Sequence, residues 1–207
     1  MFCGTFEQGT GRLLTGSHIQ IACEGARGSM RQPVERFIAL DVEIASRSPV
    51  AVCAIGAARF ESGHEIGHYC SLVRFPGRVG YTQIHGLTRA DLRDAPPWPV
   101  VWKNVVELIA DVTSVVAYRA AFDRAAVMTM CARHALRMPR IRFVCAAKLY
   151  EARVRRPADL AAALRALDIP FPGHPHDPLA DARAAAALVL ALQGRKGGGA
   201  IQLSKIP

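Results

Sequence analysis

The chain has 207 residues, 51% apolar and 21% charged, the make-up expected of a soluble globular protein with one core of ordinary size. Lys and Arg outnumber Asp and Glu by 26 to 17, for a formal charge of +9 and an isoelectric point near 9.7. That excess favours an anionic partner such as nucleic acid and says nothing about fold.

Six cysteines are present and none forms a C-x-x-C pair, which argues against a zinc ribbon or finger. Cys53, Cys131 and Cys145 fall inside apolar segments, so reduced, buried thiols and a cytoplasmic location are expected. No apolar run approaches the roughly 20 residues of a membrane helix, and no membrane partner is expected.

Residues 1–35 are rich in Gly, Ser and Thr without sustained periodicity and read as a poorly ordered extension or an overlong start. The segments that follow alternate in type. Residues 37–45, 52–60 and 69–75 read as strands, the last two separated by a turn around Gly63. Residues 98–111 have helical spacing, 114–118 form a short β-branched strand, 122–136 a helix, 141–144 an extended piece, and 159–167 and 177–192 two further helices. Three strands joined by hairpin-length loops, then alternating helices and strands, predict an α/β layered domain over residues 36–193 with a mixed sheet. Residues 194–199, GRKGGG, form a flexible linker to a short tail ending at 207.

Three segments carry candidate chemistry. The first strand reads F-I-A-L-D-V-E-I-A. Strand side chains alternate faces, so Ile38, Leu40, Val42 and Ile44 share one face while Asp41 and Glu43 project from the other. At about 4 Å in an effective dielectric near 20, two such charges repel by roughly 4 kcal/mol. They can share a proton, lie in solvent or bind a divalent cation through oxygen ligands. The second segment, S-V-V-A-Y-R-A-A-F-D, runs from a short strand into a helix with Asp123 in its first turn, where helix-dipole complementarity alone would account for an acid. In the third, G-H-P-H-D-P-L-A-D, Asp177 suits the N-cap and Pro178 the first helical position. His176 then precedes the helix and Asp181 lies one turn inside. Taken together, four acids and a histidine at strand ends and helix starts are what a two-metal hydrolytic site needs. No P-loop or Ser-His-Asp arrangement competes with them.

This combination resembles the DEDDh family of 3′–5′ exonucleases, which includes bacterial proofreading subunits such as that of DNA polymerase III. The family's D-x-E strand matches Asp41 and Glu43, its A-x-F-D segment matches Ala120 to Asp123, and its His and Asp separated by four residues match His176 and Asp181. The resemblance covers residues 36–192. It implies an RNase H-like three-layer fold with a mixed, mostly five-stranded sheet flanked by helices. It also implies two divalent ions, Mg²⁺ or Mn²⁺. Asp41, Glu43 and Asp181 would hold one, Asp41 and Asp123 the other, and His176 would be the general base. Ile84 and His85, in an I-H-G-L-T stretch like one in the family, would border the terminal nucleotide with Phe122. Arg119 is a candidate phosphate contact, standing with Tyr118 where relatives often have His-Asn.

The expected activity is release of nucleoside 5′-monophosphates from single-stranded DNA in proofreading or repair. The alternatives are an exoribonuclease acting on short RNA or RNA 3′ ends, or a non-catalytic module binding nucleic acid or a polymerase. Arg137, Arg140, Arg142, Arg153, Arg155 and Arg156 make the middle of the chain basic and either track a nucleic-acid backbone or form a solvated face. Trp98 and Trp102, four apart on a helix, read as core. Gln202, Leu203 and Ser204 resemble the start of peptides that bind the bacterial sliding clamp, although Lys205 stands where those are usually apolar.

Overall fold

The computed structural model describes residues 36–194. The expected N-terminal extension, the linker beyond Gly194, the clamp-like tail, Cys3 and Cys23 lie outside the described residues. Strands β1 (Arg36–Arg47), β2 (Val50–Glu61) and β3 (His64–Leu72) form an antiparallel meander. Between β2 and β3 only Ser62 and Gly63 intervene, both with positive φ (49° and 83°), the backbone that a tight two-residue hairpin requires. That turn pairs His64 with Glu61, so β3 starts five residues earlier than side-chain alternation suggested. Backbone pairing overrides the polar character of H-E-I-G-H.

Three helices, α1 (Thr82–His85), α2 (Arg89–Arg93) and α3 (Trp98–Ile109), lead to β4 (Ser114–Ala117). Helix α4 (Ala120–Arg133) then crosses to β5 (Arg142–Cys145). Both connections are long enough for parallel pairing, and the sheet order is β3-β2-β1-β4-β5 with β1, β4 and β5 parallel. The chain closes with α5 (Ala146–Val154), α6 (Leu160–Arg165) and α7 (Pro178–Gly194). The short α1 and α2 and the arginine-bearing α5 carry too little apolar periodicity to be read in advance; α5 is held instead by burying Leu149 and Tyr150.

Both faces of the sheet are covered. On one, Phe37 and Phe60 stack at 5.1 Å and pack with the alanine-rich face of α7 and with α5 and α6. On the other, Ile38, Leu40, Val42 and Ile44 pack with α3 and α4. Trp98 and Trp102 stack at 5.5 Å inside this second core, which accounts for their spacing. The result is the mixed five-stranded, three-layer α/β sandwich expected. Among the described residues no two cysteines are joined in a disulfide, and no helix is long and apolar enough to cross a membrane.

Candidate active site

The site lies beyond the carboxyl end of β4, along the part of β1 that extends past it, where ligands gather in α/β sheets. Strand β1 outruns its parallel neighbour, and their ladder ends at Ala39–Val116. Past that point the N–H of Val42, between the two acids of D-x-E, donates to Asp123 Oδ1 at 3.3 Å. Asp123 is only 2% exposed, so the first turn of α4 is pinned to β1 by a carboxylate that also faces Asp41 and Glu43.

Helix α7 delivers the fourth acid. Asp177 caps it, its Oδ1 accepting from the N–H groups of Leu179 (2.9 Å) and Ala180 (3.1 Å). Across the sheet, Gly56 of β2 pairs with Asp41. The backbone of Pro178 and Leu179 rests so closely on Gly56 that a Cβ there would collide with it. A missing side chain on β2 therefore seats the start of α7 beside Asp41, and Asp181, one turn in, reaches the same cleft. His176 has φ 66°. Its N–H donates to Asp181 Oδ2 at 3.3 Å, and its half-exposed ring places Nδ1 3.9 Å from Glu43 Oε1.

All five residues thus line one cleft of about 470 Å³, within the range of ~300–1,000 Å³ typical of small-ligand sites. Its carboxylates resist ionisation. Burial, then repulsion from Asp123, Asp181 and Glu43, raises Asp41 well above the usual range. Burial and the same kind of crowding push Glu43 up to about 8. Asp123 rises to about 7 and Asp181 to about 6, burial being the main cause in each. Moreover, Asp181 Oδ1 is buried without a hydrogen-bond partner among the described residues. Glu43, His176 and Asp181 present ligand atoms within 4.8 Å of one another. Crowded, partly desolvated anions with an orphaned oxygen fit a hard divalent cation, which supplies the missing partner and reverses the repulsion.

Of the other sequence candidates, Phe122 and Arg119 also line the cleft, but Ile84 and His85 do not. His85 is buried, with Nε2 3.1 Å from the carbonyl of Gly80 and Nδ1 accepting from the N–H of Leu87 at 3.0 Å. Both ring nitrogens hold the loop around α1. None of the six mid-chain arginines lines the cleft; Arg140 and Arg142 line a separate groove with Arg124. Sequence reading missed Arg47, Tyr118, Asp159 and Leu160 as cleft residues. The Tyr118 hydroxyl donates to the carbonyl of Ala158 at 2.6 Å, which brings Asp159 and Leu160 to the rim. Arg47 follows Glu43 on β1 where the register on β2 slips twice, so alternation could not assign it a face.

Comparison with known proteins agrees with this geometry. The RNase T family model, described as exonuclease, matches residues 38–189. No curated protein matches the chain in sequence. Among solved structures, the nuclease domain of 3′hExo, a DEDDh family member bound to rAMP, is similar with a TM-score of 0.65 at 15% identity. That match covers 76% of this chain and 90% of the other. Exonuclease X in complex with 5′ overhanging duplex DNA gives 0.61 at 21%, covering 81% and 96%. Exonuclease I of E. coli in complex with a dA16 oligonucleotide gives 0.66 at 15%, covering 78% of this chain and 41% of that one. Identities this low speak for the fold, and the family model speaks for the lineage. The chain belongs to the RNase T family of exonucleases, and its fold is that of DEDDh exonucleases such as 3′hExo.

Proposed function

We propose that the protein removes nucleotides one at a time from the 3′ end of single-stranded DNA and releases nucleoside 5′-monophosphates. The observation that carries this reading is the convergence of Asp41, Glu43, Asp123 and Asp181 around the unpartnered Asp181 Oδ1. Two Mg²⁺ or Mn²⁺ ions are the proposed occupants, with Asp41, Glu43 and Asp181 holding one and Asp41 and Asp123 the other. Bound there, they would polarise the scissile phosphodiester and make water a better nucleophile. His176 is proposed to take the proton from that water: its half-exposed ring stands beside Glu43 on the cleft's lining.

Phe122, 43% exposed, presents an aromatic face suited to stacking on the terminal base. Arg119, at the start of α4, supplies a phosphate contact from the same wall. Ile84, 46% exposed on α1, keeps its proposed contact with the terminal nucleotide, whereas His85 is assigned to holding the loop that carries it. A role in proofreading or repair extends this proposal and rests on the resemblance to bacterial proofreading subunits alone. The deciding assay uses 5′-labelled single strands of DNA and of RNA with Mg²⁺ or Mn²⁺. A ladder shortening from the 3′ end, stronger on DNA and abolished by Asp41→Ala, supports the reading. A stronger ladder on RNA would replace DNA as the substrate, and cleavage that persists in Asp41→Ala would overturn the site.

A further inference from the structure

The cleft contains a cation that the catalytic assignment does not use. Arg47 stands at the end of β1, exposed, on the cleft's lining. Its guanidinium lies over the ring of Tyr81, 5.3 Å from the centroid. Tyr81 in turn is fixed: it has left-handed backbone (φ 60°) at the start of α1, and the adjacent Gly80 N–H donates to the carbonyl of Ala45 at 2.8 Å. Among the described residues Arg47 forms no ion pair, although Asp41 and Glu43 line the same cleft.

A guanidinium held over an aromatic ring by its charge still has N–H groups to offer, and these match two oxygens of a phosphate. The ring also restricts the arginine's motion, so less freedom is lost when an anion binds. At about 3.3 Å per residue, Arg47 stands four residues, or about 13 Å, along the strand from Glu43. Its backbone is thus set apart from the carboxylate cluster along the same cleft. The other cleft arginine, Arg119, approaches from α4. The four clustered acids are matched by the cations proposed for them, and Asp159 commits Oδ1 to capping α6 through the N–H of Ala162. Arg47 is thus free to act on an anion farther along the substrate.

We propose that Arg47, held by Tyr81, grips a non-scissile backbone phosphate of the single strand, on the 5′ side of the bond that is cut. The assignment deepens the exonuclease reading and rests on it for the identity of the strand.

The test measures binding by anisotropy, and kcat/KM, in Mg²⁺ over a series of salt concentrations. The substrates are a single-stranded DNA decanucleotide and a dinucleotide, whose only phosphodiester is the scissile one. Arg47→Ala should weaken decanucleotide binding about tenfold and flatten the slope of log affinity against log salt by about 0.7, the signature of one lost single-strand phosphate contact. The loss in kcat/KM should be at least several-fold larger on the decanucleotide than on the dinucleotide. Arg47→Lys should keep the slope. Tyr81→Leu should weaken binding with the slope intact, because the charge remains. An unchanged slope in Arg47→Ala, or an equal loss on both substrates, would overturn the proposal while leaving the exonuclease intact. A wild-type protein that binds the decanucleotide without cutting it would remove the exonuclease reading and leave the slope to decide on Arg47. Failure to bind would overturn both.

Discussion

Asp123 accepts the backbone N–H of Val42 at 3.3 Å, so one carboxylate both closes the open end of the β1–β4 ladder and adds charge to the acidic cluster. The two duties separate under substitution. Asp123→Asn keeps an oxygen for Val42 and removes the charge. The variant should fold, melt at the same temperature as wild type or higher in EDTA, and lose roughly a hundredfold in Mg²⁺-dependent turnover. Thermal melts followed by circular dichroism, beside an exonuclease assay, check both halves. A melting temperature several degrees lower would make Asp123 a structural residue first.

The carboxylate crowding predicts an unusual stability profile. Glu43, Asp123 and Asp181 rise from ordinary values of 4.5, 3.8 and 3.8 to about 8, 7 and 6, and Asp41 also rises. Between about pH 4 and pH 8 the folded protein therefore binds more protons than the unfolded chain. Under that condition stability falls as pH rises. In EDTA the melting temperature should drop across this interval, and saturating Mg²⁺ or Mn²⁺ should remove most of the drop by binding the folded state alone. Melts from pH 5 to pH 8.5 with and without metal measure this; a flat profile in EDTA would contradict the crowding.

Gly56 marks where α7 rests on the sheet. Gly56→Ala puts a methyl group against the backbone of Pro178 and Leu179, neither of which can turn aside as a flexible side chain would. The expected destabilisation is about 1–3 kcal/mol by urea titration, together with reduced activity as Asp181 moves from Asp41. Wild-type stability and turnover in Gly56→Ala would show that the helix seat has more room than this packing allows.

Substitution of His176 distinguishes proton transfer from metal binding. As general base, its replacement in His176→Ala should lower kcat by roughly 10²- to 10⁴-fold with little change in metal affinity by calorimetry. Because Glu43, His176 and Asp181 also form a cluster able to hold an ion, a parallel loss of metal affinity would assign the imidazole as a ligand instead.

What could be read in advance was whatever a short stretch of chain encodes. Alternation on β1 placed Asp41 and Glu43 opposite Ile38 and Leu40. Asp177 and Pro178 marked the start of α7, and Asp123 stood in the first turn of α4. The same locality explains the failures. The boundaries of β3 followed hairpin pairing, and α5 followed burial of two side chains. For His85, no local pattern shows that its ring nitrogens meet Gly80 and Leu87.

Residue types, their order and the elements that carry them are written locally in the chain, because strand alternation and helix caps arise from interactions spanning only a few residues. It took the folded arrangement to show that these acids share one cleft, that Gly56 seats α7 beside Asp41, and that Arg47 lies over Tyr81 on the same lining. Such placements depend on packing between segments far apart in the chain, where a single absent Cβ or a slip in strand register redirects a side chain without leaving a local mark.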